Sequence, residues 1–455
     1  MIFEPALLEL LAWSAILGLF FSFPWRRVAT VGLPLCYILS LSMIHWMGGL
    51  IHILPTRWRS GPDPFSLVGF EQAFWGILAF ATGTFVLAPL ILKMFAQGEV
   101  GPAGMRATPY QLRLPYIYIG LGILFFGVLA PALRAVPSIY AASVSGIYLV
   151  VVGLCLACWS AFIRRNYLEL VAWLFAVCLI PLVTIVTIGF VGYGAGASLL
   201  VLTFVVTLYR PQWQALIGFG LIGFLGLSLF ITYFRDRPEI RAKVWGGADY
   251  ADRIDTFATT LGKFEFIDFQ NPRHLQAIDD RLNQNYLVGR VVRTIELGQE
   301  EFAYGGTVYD GLLALVPRIL WPEKPVTAGS WGVVSRYARV YVDPSTSVGI
   351  GHVMEFYINF GTPGVIVGFL ILGIVIRIVD VMAAFQLHRG NWQGFMSWFL
   401  PTMALLNVGG SLVELFGTMA ASTVLVFIVN KILTATQPTA ASAAGSVPAA
   451  HFPNN

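Results

Sequence analysis

Long apolar runs alternate with short polar connectors through the first half of the chain. The runs cover roughly 6–24, 29–53, 73–96, 114–133, 136–161, 168–190, 195–209 and 212–234. After a long polar interval they resume at 351–385, 394–410 and 413–432. A helix needs about 20 apolar residues to cross the hydrocarbon core. Eleven transmembrane helices are therefore expected, the seventh short and the ninth long enough to tilt or to extend beyond the bilayer. Barrel strands do not fit, because the runs lack a two-residue alternation and lipid leaves no partner for open backbone groups. The pattern predicts an all-α polytopic integral membrane protein.

The interruption is one polar island, residues 235–350. It carries 14 of the 28 Lys and Arg residues and 15 of the 24 Asp and Glu residues. The chain divides into a bundle of eight spans (1–234), the island (235–350), three further spans (351–432) and a tail (433–455). The tail is rich in Ala, Ser and Pro and holds no Asp, Glu, Lys or Arg, so it is expected to be disordered.

Composition supports this division. Of 455 residues, 57% are hydrophobic and 11% charged, against about 25% charged in soluble domains. The cations also have a side. Arg26, Arg27, Lys93, Arg106, Arg113, Arg164, Arg165, Arg210, Arg377, Arg389 and Lys431 fall in alternate connectors, whereas the others hold Arg57, Arg59 and Arg134. By the positive-inside rule the first set is cytoplasmic. That orientation puts the N-terminus outside, the C-terminus inside, and the island on the extracytoplasmic face. The first run lacks the basic flank and cleavage site of a signal peptide, so it is expected to be a retained span.

Several chemistries find no footing. Cys36, Cys155, Cys158 and Cys178 all lie in apolar runs, so the Cys155–Cys158 pair is read as packing rather than as a redox or metal motif. No metal-ligand spacing, phosphate loop, dinucleotide fingerprint or nucleophile elbow is present, and no metal or cofactor is expected. The near-neutral island gives no reason to expect nucleic acid.

Within the island, Asp249–Phe266 sets Ile254, Phe257, Ala258 and Leu261 on one helical face, which fits a helix lying against the bundle or the lipid interface. Asp279–Leu297 sets Val288, Val291, Val292 and Ile295 on one stripe, with Arg290 and Arg293 pointing away and Arg281 on the stripe side if the helix reaches back that far. Val308–Leu320 reads as a short re-entrant or interfacial helix ended by Trp321 and Pro322. Ser345, Thr346 and Ser347 precede the ninth span, where they either cap the helix or bind an oxyanion. His352, Glu355, Tyr357 and Asn359 then enter the membrane, with His352 and Glu355 on one helical face. Ionisable residues in a span are functional candidates by default.

The series VPRILWPEKP, STS and EFYINFG between Val308 and Gly361 resembles the Wzy-type polymerases of bacterial surface polysaccharides. That family also has many spans and one large periplasmic loop. The resemblance implies a metal-independent, membrane-embedded glycosyltransferase of the bacterial inner membrane. Its substrate would be an oligosaccharide repeat unit on undecaprenyl pyrophosphate, with the growing chain transferred onto the next lipid-linked unit. Membrane lipids, a flippase and a chain-length regulator are the implied partners. Arg318 and Lys324, with Arg281, Arg290 and Arg293, would meet the pyrophosphate. Ser345, Ser347, Tyr357 and Asn359 would contact substrate. Glu355, or failing it His352, would be the general base. A ligase of finished glycans has a similar topology, and a lipid-sugar transporter is the non-enzymatic alternative.

Overall fold

A computed structural model describes residues 3–22, 29–53, 63–95, 110–133, 136–209, 212–316, 320–321, 323–324, 330–341 and 348–436. Every regular element among them is helical. Among the described residues, nine helices are long and apolar enough to cross a membrane, and a further apolar helix, Val191–Thr207, is shorter. The chain is thus a multi-pass helical membrane protein.

The first bundle comprises α1 (Phe3–Ser22), α2 (Leu33–Ile44), α3 (Trp46–Ile53), α4 (Pro64–Thr82) and α5 (Ala88–Phe95). A π turn, Gly83–Leu87, joins the last two, while α2 and α3 form one candidate span bent at His45. Next come α6 (Leu114–Ile123), α7 (Ala130–Ala132), α8 (Pro137–Val144), α9 (Gly146–Ile163), α10 (Tyr167–Ile188) and α11 (Val191–Tyr209). The following helix, α12, runs from Gln212 to Trp245 without interruption. It therefore passes Arg235, where the charge pattern marks the start of the island, by three turns.

The island is a set of short helices: α13 (Tyr250–Gly262), α14 (Pro272–Leu282), α15 (Asn285–Glu296), α16 (Gly306–Ala314) and α17 (Ser330–Val333). The single helix expected over 279–297 is broken at Asn283 and Gln284, which leaves Arg281 on α14. The valine stripe is present on α15, where Val288, Val291 and Val292 are buried. On α13, Phe257 is buried, but Ile254 and Ala258 are exposed. The island is therefore not a loose cover. The α15 helix lies in the main core between α4 and the segment around Tyr337.

The last three helices are α18 (Gly351–His388), α19 (Trp392–Thr402) and α20 (Leu412–Thr436). The tenth expected span, 394–410, is α19 plus a tight turn, Met403–Leu406, and is shorter than a full crossing helix. The ninth is not a single tilted rod. Phe360 (φ −145°, ψ 20°) and Gly361 (φ 64°, ψ −154°) interrupt it. Residues eight apart in a helix are about 12 Å apart along the axis. Yet a Cβ on Gly364 would lie 2.5 Å from the Phe356 carbonyl oxygen, and one on Gly368 would meet the Phe356 ring. The rings of Phe356 and Phe369 are 5.7 Å apart, and those of His352 and Phe369 are 6.5 Å apart. The chain doubles back at Phe360–Gly361. The backbone at Gly361 favours a residue without a Cβ. A short arm, 351–359, lies against the first turns of the long arm, 362–388.

At the other end of the long arm, Arg377 and Asp380 form a buried i, i+3 ion pair. Asp380 Oδ1 also accepts hydrogen bonds from the Val31 and Leu33 amides, at 2.9 and 3.2 Å. The carboxylate thereby ties the long arm to the start of α2. Removing one member of a buried pair costs about 3–5 kcal/mol. The Asp380→Ala variant should lose that much stability in detergent melting; an unchanged melting curve would show the clasp to be dispensable.

Candidate functional site

The fold-back reverses the depth order expected from the sequence. Asn359 sits next to the tip of the hairpin, and His352 lies level with Phe369, eight residues along the long arm. The start of the short arm is buried in the bundle rather than at its mouth. Two amide hydrogen bonds seat it there, from Gly351 to the Gly409 carbonyl (3.1 Å) and from His352 to the Val408 carbonyl (3.3 Å). The turn between α19 and α20 thus faces the N-terminus of the short arm.

Glu355 is 1% exposed. Its Oε2 accepts the Leu412 amide at 2.7 Å, at the first turn of α20, and Thr307 of α16 supplies a second hydrogen bond. The positive end of the α20 dipole favours a carboxylate at that position. Among the described residues no cation lies within ion-pairing distance of Glu355. Asn359 donates to the Thr307 hydroxyl and to the Glu355 carbonyl, both at 2.7 Å. The Ala303 amide donates to the Ile358 carbonyl at 2.9 Å. Island and short arm therefore form one wall of the same site.

His352 Nδ1 lies 2.7 Å from the Tyr37 hydroxyl, with the two rings stacked. The Asn407 carbonyl approaches the same imidazole without ordinary hydrogen-bond geometry at Nε2. His45, at the bend between α2 and α3, holds Asn285 of α15 in a reciprocal pair. His45 Nδ1 is 2.6 Å from Asn285 Oδ1, and Asn285 Nδ2 donates to the His45 carbonyl at 2.8 Å. The amide oxygen only accepts, so His45 carries its proton on Nδ1 and presents a lone pair at Nε2. Gln284 extends the seam by donating to the Gly349 carbonyl at 2.9 Å. Beyond it, Asn283 bridges Ser66 and Asp279, and Asp279 meets His52 at 2.7 Å. His45 Nε2, Asn283 Oδ1, Gln284 Oε1 and Asn359 Oδ1 keep unused hydrogen-bonding capacity among the described residues.

Of the residues expected to act, His352, Glu355 and Asn359 come together here. Tyr357 is buried on another side of the short arm, its ring 6.3 Å from that of Phe302. The cations do not converge on the seam. Arg290 spends its donors on the Ala338 and Arg339 carbonyls, at 3.0 and 3.1 Å, and straps α15 to that segment. Arg293 is exposed, 3.9 Å from Glu296 of its own helix. Lys324 donates to the Val316 carbonyl at 3.1 Å. Arg281 lies over the Phe234 ring. Nearby, Arg336 pairs with Glu300, which raises its pKa above the ordinary arginine value. Arg318, Ser345 and Ser347 lie outside the described residues. Tyr37, Asn285, Gln284 and Thr307 belong to the seam without having been expected there. Their spacing along the chain carries no local signal, since the His45–Asn285 pair spans 240 positions.

Residues 109–439 match a family described as a domain of unknown function, DUF8712. No curated protein and no solved structure matches the chain.

Proposed function

The chain belongs to the DUF8712 family, and we propose that it polymerises lipid-linked oligosaccharide repeat units at the outer face of the bacterial inner membrane. The observation that carries this reading is the buried Glu355 carboxylate, held by an amide and a hydroxyl where the island packs on the short arm. A carboxylate without a neutralising cation retains basicity for an incoming hydroxyl. In the proposed reaction the acceptor sugar hydroxyl gives its proton to Glu355 and attacks the anomeric carbon of the donor. The bond from that carbon to the pyrophosphate oxygen breaks, and undecaprenyl pyrophosphate leaves with the electron pair. His352, hydrogen-bonded to Tyr37, is the second candidate for the proton. The neutral capacity on His45, Asn283, Gln284 and Asn359 suits sugar hydroxyls. Glu355 is enclosed in this conformation, so substrates would reach it only in a conformation that opens the site. Arg318 and Lys324, which flank Trp321 in the sequence, are the cations proposed for the leaving pyrophosphate, and Lys324 would have to release the Val316 carbonyl to reach it.

Purified protein in proteoliposomes, supplied with its lipid-linked repeat unit, should build longer glycans with or without a chelator. Movement of the unit across the bilayer with no chain growth would overturn the reading in favour of transport. Transfer of a finished glycan to another acceptor, without chain growth, would replace it with ligation. Arg318→Ala should lower extension by about 100-fold, the scale of one lost transition-state charge contact, with the protein still present in the membrane. Normal chain length in that variant would remove Arg318 from the site.

A further inference from the structure

A second group of arginines sits apart from the seam. Arg237 and Arg241 are one helical turn apart on α12, and Arg281 projects from α14 toward them. The guanidinium carbons of Arg237 and Arg281 lie 5.7 and 5.6 Å from the centroid of the same Phe234 ring. Arg241 is 4.2 Å from the Phe190 ring centroid and 4.9 Å from that of Trp245, and its Nε donates to the Gly189 carbonyl. None of the three makes an ion pair within 4 Å among the described residues, although Asp280 stands beside Arg281. Partial burial, and then the Arg241 charge, lower the pKa of Arg281 below the ordinary arginine value.

Three like charges gathered with Asp280 beside one of them still repel one another, since the Arg241 charge lowers the Arg281 pKa, and an anion between them relieves that repulsion. The location narrows the anion. Arg237 and Arg241 occupy the last turns of the candidate span Leu216–Trp245. Below them the helix exposes Leu216, Ile217, Leu221, Ile222, Phe224 and Leu225. Trp245 closes the upper side, as tryptophan does at headgroup level. The geometry therefore combines an apolar flank for acyl or prenyl chains with forked donors for phosphate oxygens.

We propose that Arg237, Arg241 and Arg281 form a binding site for the phosphate of an anionic membrane lipid, between α12 and α14. This inference does not rest on the polymerase reading, because binding is measured without turnover. The shared chemistry is a phosphate ester on a lipid. Its source is either a bilayer glycerophospholipid or a polyprenyl phosphate, and competition separates the two.

The test is native mass spectrometry of the full chain in detergent, titrated with phosphatidylglycerol, undecaprenyl phosphate or diacylglycerol. Wild type should retain one or both phosphate lipids and not diacylglycerol. Arg281→Gln should weaken retention by about tenfold, and the triple glutamine variant by about 100-fold or more, at roughly one charge-assisted hydrogen bond per arginine. Arg273→Gln, which removes an exposed charge from the same helix, should bind like wild type. If the triple variant does not fold, the single Arg281→Gln variant carries the test. Preference for phosphatidylglycerol in competition assigns a bilayer lipid, and preference for undecaprenyl phosphate assigns a lipid carrier. Equal retention of diacylglycerol, or unchanged retention in Arg281→Gln, would overturn the site.

Discussion

Glu355→Gln should abolish chain extension while leaving the folded protein in the membrane. The substitution preserves side-chain volume. The glutamine oxygen still accepts the Leu412 amide, which now lies 2.7 Å from Oε2. What disappears is the capacity to take a proton. A positioned general base contributes about 100- to 10,000-fold, so extension from purified lipid-linked repeat units should fall by at least about 100-fold. Melting in detergent should stay at or above the wild-type value, because the buried charge is removed without emptying its site. Two results would reassign the chemistry. Robust extension in Glu355→Gln, lost instead in His352→Gln, would move the base to the histidine. Loss of folded protein in Glu355→Gln would make the carboxylate a structural anchor of the α20 terminus.

The sequence carries the membrane part of the fold well, because length and apolarity are local properties. The run 168–190 becomes Tyr167–Ile188 almost unchanged. Charge pattern is a poorer guide to where a helix ends. Arg235 and Asp236 pair with each other, and Arg235 also bonds to Glu265. The first two charges of α12 are thereby paired without any break in the helix. The fold-back at Phe360–Gly361 is hidden for a related reason. Its two arms are both apolar, so the run 351–385 has no polar gap at the turn. The local marks are one glycine with positive φ and two more, Gly364 and Gly368, that admit the returning arm.

The candidate site was legible only along the chain. His352, Glu355 and Asn359 stand out because they are polar residues at helical spacing in an apolar run. Their partners come from α2, α16, the turn before α20 and its first residue, and no sequence window contains them together. The arginines show the converse. A basic residue in the island reads as a phosphate ligand, but Arg290 acts as a strap through backbone carbonyls, and Arg281 joins two arginines of α12 that lie before its own helix. Which role an arginine takes depends on the carbonyls and carboxylates brought within reach, and tertiary packing decides that.

Gly289→Ala should be the most destabilising single methyl addition in the island. A Cβ at position 289 would lie 1.8 Å from the Phe65 carbonyl oxygen and 2.5 Å from its carbon. The approach is reciprocal, since a Cβ on Gly69 of α4 would lie 2.0 Å from the Asn285 carbonyl oxygen. The obstacle in both cases is backbone, which cannot rotate aside as a side chain can. The α4 and α15 helices would have to part, losing contact around the buried Val288, Val291 and Val292. Overpacking typically costs about 1–3 kcal/mol, and a clash with helical backbone on both sides puts this variant at about 3 kcal/mol. The effect should also reach the seam. As α15 moves out it carries Asn285 away from His45 and Gln284 away from Gly349, so extension should fall together with stability. Gly196→Ala provides the comparison: it is exposed on α11, and its added methyl meets nothing within 4 Å, so its melting should match or slightly exceed wild type. Equal melting of Gly289→Ala and wild type would mean that α15 does not pack on α4 this closely. The island would then be free to move as a lid rather than fixed as a wall of the site.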